Sequence, residues 1–309
     1  MTDKNIIDVI VIGAGPGGLT AALYASRSNL STLIIEQGAP GGQLLNTSDI
    51  ENYPGFKKIA GPDLAAQMYE GAMNFEAEYA FGHVTDVIDH QQYKEVVTDQ
   101  GSHFGKTVII ATGATHKTLG IPGEAELNGR GVSYCAVCDG AFFKGEPIIV
   151  VGGGDSAVEE GNYLTQFASQ VTIVHRRDQL RAQEILQERA FANDKIDFIW
   201  DSVVEEIIGD KEVEGVKIRN VKTMEKEFIP AKGVFIYIGI LPNSDAFKDL
   251  GICDEEGWIV TDRDCQTAIP GIYAVGDVCA DAFRQIATAV GDGAVAAQAC
   301  YEFILNQAE

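Results

Sequence analysis

Hydrophobic residues follow two patterns along the chain: short continuous runs, and residues spaced at the period of a helix. Short apolar runs at 6–12 and 147–151 are typical of buried strands, and each precedes a glycine-rich turn. A helix follows each turn: the first has apolar or small residues at helical spacing after position 18, and the second is predicted over about 157–167. Further strands at 31–36 and 170–175 complete two βαβ units.

The remaining elements extend this pattern. Strands are predicted at 107–113, 233–239 and 271–277, and a charged helix is predicted from 178 to about 191. The only internal repeat is the pair of βαβ units. We therefore predict an α/β protein with two Rossmann-like dinucleotide-binding domains.

Composition and charge narrow the class of protein. A length of 309 residues suggests about two domains, and 46% hydrophobic with 22% charged residues is typical of globular proteins. The net charge of −22 disfavours nucleic acids and anionic membranes as partners. The first residues resemble no export signal and the apolar runs are too short to span a bilayer, so a cytoplasmic protein is expected.

Only two of the six cysteines are closely spaced, Cys135 and Cys138. A CxxC pair in a reducing compartment is either redox-active or half of a zinc site. Zinc needs two more nearby ligands, and no histidine is close to any of the other cysteines. We expect a redox dithiol and no metal. The single cysteines are interpreted as small buried apolar residues; they are Cys253, Cys265, Cys279 and Cys300.

The two glycine turns have the spacing of dinucleotide-binding sites. The first glycine permits the tight turn, the second lets a pyrophosphate approach the backbone, and the third allows close packing of helix on strand. These positions are Gly13, Gly15 and Gly18 in the first unit, and Gly152, Gly154 and Ala157 in the second. One such turn is weak evidence, whereas two in full βαβ context are strong evidence.

The residue that ends the second strand of each unit indicates which nucleotide binds. Glu36, 23 residues after Gly13, would accept hydrogen bonds from ribose hydroxyls and repel a 2′-phosphate. The same interval from Gly152 leads to a basic cluster that suits a 2′-phosphate: His175, Arg176, Arg177 and Arg181. We predict FAD in the first unit and NADPH in the second. The alternative is that the arginines lie in the solvent-exposed first turn of the helix that follows.

The chain resembles the low-molecular-weight, bacterial-type thioredoxin reductases along its whole length. The resemblance rests on the segments 13–18, 41–44, 51–55, 111–114, 135–139, 175–177 with Arg181, and 276–277 with 284–286. It implies two domains of the three-layer ββα type. An NADPH domain at 115–242, which carries the CxxC, is inserted into an FAD domain at 1–114 and 243–309.

The resemblance also implies site residues. Beside the first glycine turn and Glu36, FAD would contact Gly42, Gln43, Asn52, Ala111, Thr112, Gly113, Gly276, Asp277, Arg284, Gln285 and Ile286. Beside the second glycine turn and the basic cluster, NADPH would contact Asp155 and Ser156. For Gln43 and Asn52, a role in turn structure is the alternative.

The family's reaction is the reduction of the thioredoxin disulfide by NADPH. Cys138 would face the flavin, and Cys135 would attack the partner disulfide. Asp139 would protonate the departing thiolate, although capping of the following turn is an alternative role. Because the dithiol and the flavin belong to different domains, we predict that the domains rotate, with hinges near 113–118 and 239–243.

Partner contacts are the least constrained by the sequence. Thioredoxin is expected to dock near Arg130, Phe142 and Phe143, although adjacent aromatic residues are more often core, and a homodimer is expected from the family alone. The competing functions are a flavin-dependent dithiol oxidase, an NADPH–ferredoxin reductase, a peroxide-reducing flavoprotein and a non-catalytic flavin redox sensor. The arginine cluster disfavours the first, the dithiol disfavours the second, and no extra N-terminal module is visible for the third.

Overall fold

The computed structural model describes residues 5–47 and 50–307, and divides the chain into two compact units. The first unit consists of Met1–Thr115 and Leu241–Glu309, and the second of His116–Ile240. The first four residues, where no export signal is expected, lie outside the described residues. The chain therefore leaves the first unit once, forms the second, and returns.

The strands are β1 (Ile6–Ile12), β2 (Thr32–Glu36), β3 (Glu78–Phe81), β4 (Val84–Asp89), β5 (Lys94–Thr98), β6 (Gly101–Ile110), β7 (Ala114–His116), β8 (Val132–Ser133), β9 (Pro147–Gly152), β10 (Gln170–Val174), β11 (Ile196–Ile199), β12 (Ser202–Gly209), β13 (Val213–Asn220), β14 (Lys226–Pro230), β15 (Gly233–Tyr237), β16 (Ile240–Pro242) and β17 (Ile272–Ala274). The α-helices are α1 (Pro16–Arg27), α2 (Gly61–Met73), α3 (Ala136–Asp139), α4 (Asp155–Leu164), α5 (Glu184–Phe191) and α6 (Ile286–Gln307). Four 3₁₀ helices complete the described elements: Gly42–Asn46, Gly140–Phe143, Asp245–Leu250 and Gly276–Val278.

The first unit is built on a seven-stranded sheet of order β3-β2-β1-β6-β5-β4, with β17 beside β6. β1 runs parallel to β2 and β6, whereas β5 runs antiparallel to β4 and β6. Residues of β1 alternate between two cores, as expected for a strand buried on both faces. Val9 and Val11 pack with α1 and α6, and Ile10 and Ile12 pack with β4 and β5.

The second unit repeats this arrangement with different strands. Its five-stranded parallel sheet has the order β11-β10-β9-β15-β8, and the antiparallel strands β12, β13 and β14 form a separate three-stranded sheet. Ile148 and Val150 pack with α4, whereas Ile149 and Val151 pack with the three-stranded sheet. Each unit thus has helices on one face of the parallel strands and antiparallel strands on the other, which confirms the predicted fold class.

Two sequence predictions differ from the structure in this second unit. The helix predicted from Asp178 begins only at Glu184. The preceding segment forms hydrogen bonds to other parts of the unit instead: the Arg181 N–H donates to the Gly153 carbonyl over 2.7 Å, and the Gln183 N–H donates to Asp155 over 2.7 Å. These contacts hold residues 178–183 out of helical geometry. The predicted helix to about Phe167 ends at Leu164.

The two segments in which the chain passes between the units pair with each other. β7 and β16 form a two-stranded sheet, and the Lys117 N–H donates to the Gly239 carbonyl over 2.9 Å. The Asn243 N–H donates to the Gly113 carbonyl over 3.0 Å. The predicted hinges therefore lie at two crossings that are hydrogen-bonded to each other.

Candidate functional site

The first glycine turn has the geometry that a pyrophosphate site needs. Gly13 has φ +104°, and a Cβ there would collide with the Ala111 carbonyl, while a Cβ on Gly18 would collide with the Gly13 carbonyl. A Cβ on Gly15 would meet no described atom within 4 Å. The first and third glycines are therefore required by the protein's own packing, and the second borders open space. This fits an FAD pyrophosphate.

Glu36 lies at the end of β2 and is hydrogen-bonded to the turn itself. One carboxylate oxygen accepts the Ala14 N–H over 2.8 Å, and the other accepts the Gly38 N–H over 2.9 Å. The carboxylate is thus fixed beside the glycine turn, where further lone pairs could accept ribose hydroxyls. The predicted position of Glu36 beside the turn is observed.

Several other predicted FAD residues form hydrogen bonds between distant parts of the chain, and two of them, Asn52 and Gln285, contact each other. The Asn52 amide donates to Gln285 over 3.1 Å, across 233 residues of sequence. The Gln43 amide donates to the Ala114 carbonyl over 3.1 Å, and the Thr112 hydroxyl donates to the Asn243 carbonyl over 2.6 Å. Within the first unit, these bonds join the segment 43–52 to the residue before α6 and to the segment after β6, and join that segment to Asn243.

Asp277 and Arg284 form the charged part of this site. Burial raises the pKa of Asp277, the Arg284 guanidinium opposes that shift, and Asp292 adds to it. Arg284 stacks on Trp258 with 4.1 Å between the guanidinium carbon and the ring centroid. Its Nε is buried and has no hydrogen-bond partner among the described residues. An unpartnered buried donor suits a site that accepts an anionic or carbonyl-bearing ligand.

The second glycine turn repeats the geometry of the first. A Cβ on Gly152 would collide with the Tyr237 carbonyl, and a Cβ on Gly154 would meet no described atom within 4 Å. Both carboxylate oxygens of Asp155 are engaged by Gln183, at 2.7 and 3.0 Å. The open space beside Gly154 therefore fits a second pyrophosphate, and Asp155 fixes the segment after β10 to the start of α4. Ser156 follows in the first turn of α4.

The basic cluster after β10 has two parts. The side chains of Arg176, Arg177 and Arg181 are exposed, as expected for groups that would bind a 2′-phosphate. His175 is only 4% exposed. Burial is the main cause that lowers the pKa of its imidazole, and the nearby arginines add to the effect. The sequence grouped these four residues, and the structure separates the histidine from the arginines.

Cys135 and Cys138 form a disulfide at the start of α3, with 5.3 Å between their Cα atoms. Cys135 is the N-cap, and its Sγ accepts the Cys138 N–H over 3.2 Å. Asp139 follows, and its carboxylate accepts a hydrogen bond from the Ser133 hydroxyl over 2.5 Å. Burial raises the pKa of Asp139, and the Ser133 hydrogen bond opposes the shift. An acid held beside a redox disulfide can deliver a proton to a departing thiolate.

The three residues expected at the partner surface have different surroundings. Phe142 is 43% exposed and Arg130 is exposed. Phe143 packs against the buried Phe235 with 5.3 Å between ring centroids, and belongs to the core beside α4. Of the two phenylalanines, only Phe142 is therefore well placed to meet another protein.

Three of the four remaining cysteines have the properties of buried apolar residues, whereas Cys253 is only half-buried. Cys265, Cys279 and Cys300 are buried, and burial is the main cause that raises the pKa of each thiol to about 12. Within residues 5–47 and 50–307, no group of three His, Cys, Asp or Glu could hold a metal ion. The helices in the same ranges are all too short or too polar to cross a membrane.

Sequence reasoning missed the residues that position these groups. They are Ser133 beside Asp139, Gln183 beside Asp155, Trp258 beside Arg284, Asn243 beside Thr112, and Asp292, whose carboxylate accepts the Gly276 N–H over 3.1 Å. All but Ser133 are separated from their partners by at least sixteen residues of sequence. Ser133 alone was within reach of a local argument, since it lies just before the CxxC.

Comparison with known proteins gives the family. The sequence profile of one protein family, the pyridine nucleotide-disulphide oxidoreductases, matches residues 7–293. A thioredoxin reductase of Listeria monocytogenes is 57% identical over 304 residues, which cover 98% of this chain and 95% of that protein. The crystal structure of thioredoxin reductase from Streptococcus pyogenes is 58% identical, with a TM-score of 0.96 over 98% of this chain and 100% of that one.

A second solved structure differs more. Thioredoxin reductase of Lactococcus lactis in its FR conformation is 55% identical and covers 97% of this chain and 99% of its own, with a TM-score of 0.66. The two proteins are similar in sequence over nearly their whole lengths, but their structures superpose less completely. The resemblance predicted from the motifs is confirmed, and with it the class of NADPH-dependent flavoprotein oxidoreductase. The chain belongs to the pyridine nucleotide-disulphide oxidoreductases and, within them, to the low-molecular-weight, bacterial-type thioredoxin reductases.

Proposed function

We propose that this protein uses NADPH to reduce the disulfide of a thioredoxin through Cys135 and Cys138. The observation that carries the proposal is the disulfide at the start of α3, with the half-buried acid Asp139 directly after it. The thioredoxin reductases to which the chain is similar support the same partner.

The two glycine turns divide the cofactors between the units. FAD is assigned to the first unit, with the pyrophosphate beside Gly15, a ribose at Glu36, and the paired Asn52 and Gln285 nearby. NADPH is assigned to the second, with its pyrophosphate beside Gly154. When bound there, FAD would supply the two-electron chemistry that links hydride transfer from NADPH to reduction of the cysteine pair.

Thiol–disulfide exchange then follows from the cysteine pair itself. The reduced pair holds two thiols, and the Cys135 thiolate attacks one sulfur of the partner disulfide. One S–S bond breaks and a mixed disulfide forms. The Cys138 thiolate attacks the Cys135 sulfur, which restores the disulfide and releases the partner with both of its sulfurs reduced. Two electrons and two protons pass to the partner.

Asp139 is proposed as the acid of this unit. Its burial favours the protonated form, so that a proton is available when the cysteine disulfide opens and a thiolate departs. The Ser133 hydroxyl donates a hydrogen bond to this carboxyl and so holds it in place.

A rotation of the units is part of the proposal. The cysteine pair belongs to the second unit and the FAD residues to the first, and the pair must also meet a protein partner. Two relatives of nearly equal identity have TM-scores of 0.96 and 0.66, which supports more than one arrangement within the family. An engineered crosslink between the units should abolish steady-state turnover. Unchanged turnover in the crosslinked protein would contradict the rotation.

The proposal also includes a docking surface, an oligomeric state and a cellular location. We propose that thioredoxin docks on the surface of Arg130 and Phe142, which are exposed, and that Phe143 supports that surface from the core. A homodimer and a cytoplasmic location are proposed from the family and from the reducing environment that the single buried thiols suit.

Trapping of the mixed disulfide tests the partner and the attacking sulfur together. The probe is a thioredoxin that retains one active-site cysteine, activated with thionitrobenzoate. Cys138→Ser should form a covalent complex with this probe and release thionitrobenzoate, whereas the matched control Cys135→Ser should not. Equal complex formation by the two variants would contradict the assignment of Cys135, and no complex with either would contradict the partner.

A further inference from the structure

We infer that His175 is a positioning residue that holds the Gly152–Gly154 turn in shape, and that it does not bind the 2′-phosphate of NADPH. The inference rests on the proposed NADPH site and assigns different roles to its residues. The arginines would recognise the 2′-phosphate, and His175 would prepare the turn that receives the pyrophosphate.

The first support is the contact between the imidazole and Gly153. A Cβ on Gly153 would overlap the imidazole, lying 2.6 Å from Cγ and closer still to Nδ1 and Cε1. Gly153 is not among the residues with positive φ, so its backbone conformation would suit any residue. Glycine is therefore required at this position because the imidazole fills the space where a side chain would stand.

The second support is the position of His175 in the sheet. Val174, the last residue of β10, is paired with Val151 of β9, so His175 follows β10 beside the point where β9 enters the glycine turn. The His175 N–H donates to the Ile199 carbonyl over 2.9 Å, and its carbonyl accepts the Ser202 N–H over 3.0 Å. The backbone of His175 is thus fixed on the side away from the turn.

The third support is that the turn is held from two directions. The Gly153 carbonyl accepts the Arg181 N–H over 2.7 Å, while the imidazole packs against the Gly153 Cα. The backbone of Arg181 therefore positions the turn, and its exposed guanidinium stays available to a ligand.

Burial and charge separate the histidine from the arginines. His175 is 4% exposed, whereas Arg176, Arg177 and Arg181 are exposed. Burial and three neighbouring arginines lower the pKa of the imidazole, and a hydrogen bond to the Gly152 backbone opposes the shift. A neutral, buried ring adds no charge to a phosphate site, so its contribution is to shape.

A role in shape predicts a different specificity from a role in phosphate binding. The pyrophosphate is common to NADPH and NADH, whereas the 2′-phosphate is present only in NADPH. Loss of a positioning residue should weaken both dinucleotides by the same factor, and loss of a 2′-phosphate ligand should weaken only NADPH.

Calorimetric titration of the FAD-loaded protein with NADP⁺, NAD⁺ and 2′-AMP separates the two roles. His175→Ala should raise the Kd of NADP⁺ and of NAD⁺ equally, by about tenfold, and leave that of 2′-AMP unchanged. His175→Asn, which keeps a donor near the position of Nδ1, should recover part of the loss for both dinucleotides. In turnover, the KM for NADPH should rise while kcat at saturation stays near the wild-type value.

The double variant Arg176→Ala with Arg177→Ala is the matched control. It should weaken NADP⁺ and 2′-AMP and leave NAD⁺ unchanged. If His175→Ala or His175→Asn weakens NADP⁺ and 2′-AMP while NAD⁺ binding is kept, the inference is overturned. If the arginine variant affects both dinucleotides alike, the assignment of the NADPH site fails instead. If His175→Ala does not fold, His175→Asn tests the inference by itself, because the same ratio of NADP⁺ to NAD⁺ affinity is measured for it.

Discussion

The Ser133 hydroxyl donates a 2.5 Å hydrogen bond to the Asp139 carboxylate, and the redox disulfide lies between these two residues in the sequence. Burial raises the pKa of Asp139 and this hydrogen bond opposes the shift, since it stabilises the charged form. The balance of the two effects sets the pH range in which the carboxyl holds a proton.

Ser133→Ala should therefore move the alkaline limb of the activity profile to higher pH. Removal of the hydroxyl destabilises the carboxylate, so the pKa of Asp139 rises further, and an acid stays protonated to a higher pH. The measurement is the pH dependence of kcat/KM for thioredoxin. A limb displaced to lower pH would contradict the role of Ser133.

Asp139→Asn should remove the acid and lower the rate of thioredoxin reduction by about a hundredfold or more. NADPH oxidation with ferricyanide as electron acceptor does not need the cysteine pair and should be unchanged. A matching loss with ferricyanide would show that the substitution damages cofactor binding, and that Asp139 is not the acid.

Gly15→Ala and Gly154→Ala should have complementary effects. Neither added Cβ meets a described atom within 4 Å, and the backbone at both residues is extended, so both variants should fold. Each methyl would fill the space assigned to a pyrophosphate. Gly15→Ala should be purified without flavin, whereas Gly154→Ala should keep its flavin absorbance and lose NADPH-dependent reduction. Loss of flavin from Gly154→Ala would contradict the assignment of cofactors to units.

Lys94 and Asp89 form an ion pair in the first unit, with 2.6 Å between Nζ and Oδ1; the Lys94 side chain is buried, whereas the Asp89 side chain is 29% exposed. The Lys94 residue is 2% exposed. Asp89→Asn leaves that buried ammonium without its counter-charge and should destabilise the unit by about 1–2 kcal/mol, less than the loss from a fully buried pair because water reaches the aspartate side. Lys94→Met removes the buried charge and should cost less. Urea unfolding of the two variants compares them, and a larger loss for Lys94→Met would contradict this account.

Trp258 should contribute to FAD binding through Arg284. The guanidinium lies 4.1 Å from the ring centroid, and a partly desolvated cation–π contact is worth about 1–2 kcal/mol. Trp258→Leu should weaken FAD binding to the apoprotein by about tenfold, and Trp258→Phe should lose less because an aromatic face remains. Equal affinities of the Leu and Phe variants would show that the stacking does not position Arg284.

The parts of the fold that could be predicted from the sequence are those specified by local patterns. The glycine turns, their flanking strands and Glu36 follow from spacing within a single βαβ unit, because the chemistry of each position is confined to about 25 residues. The CxxC pair is local in the same sense.

The rest depends on contacts that sequence spacing does not encode. No helix begins at Asp178, because the backbone N–H groups of Arg181 and Gln183 donate to Gly153 and Asp155 instead of to a helix of their own. Sequence proximity alone groups His175 with the arginines at 176, 177 and 181. The burial of His175 depends on the register of β10 against β9, and this register is set by the packing of the sheet.

The most direct test of the central claim is NADPH oxidation coupled to thioredoxin, measured for the wild type, Cys135→Ser and Cys138→Ser, with ferricyanide reduction as the control for cofactor binding. The account predicts that the wild type turns over thioredoxin and that both variants lose this activity while retaining ferricyanide reduction. Thioredoxin reduction at the wild-type rate by Cys138→Ser would contradict a path of electrons through the Cys135–Cys138 disulfide.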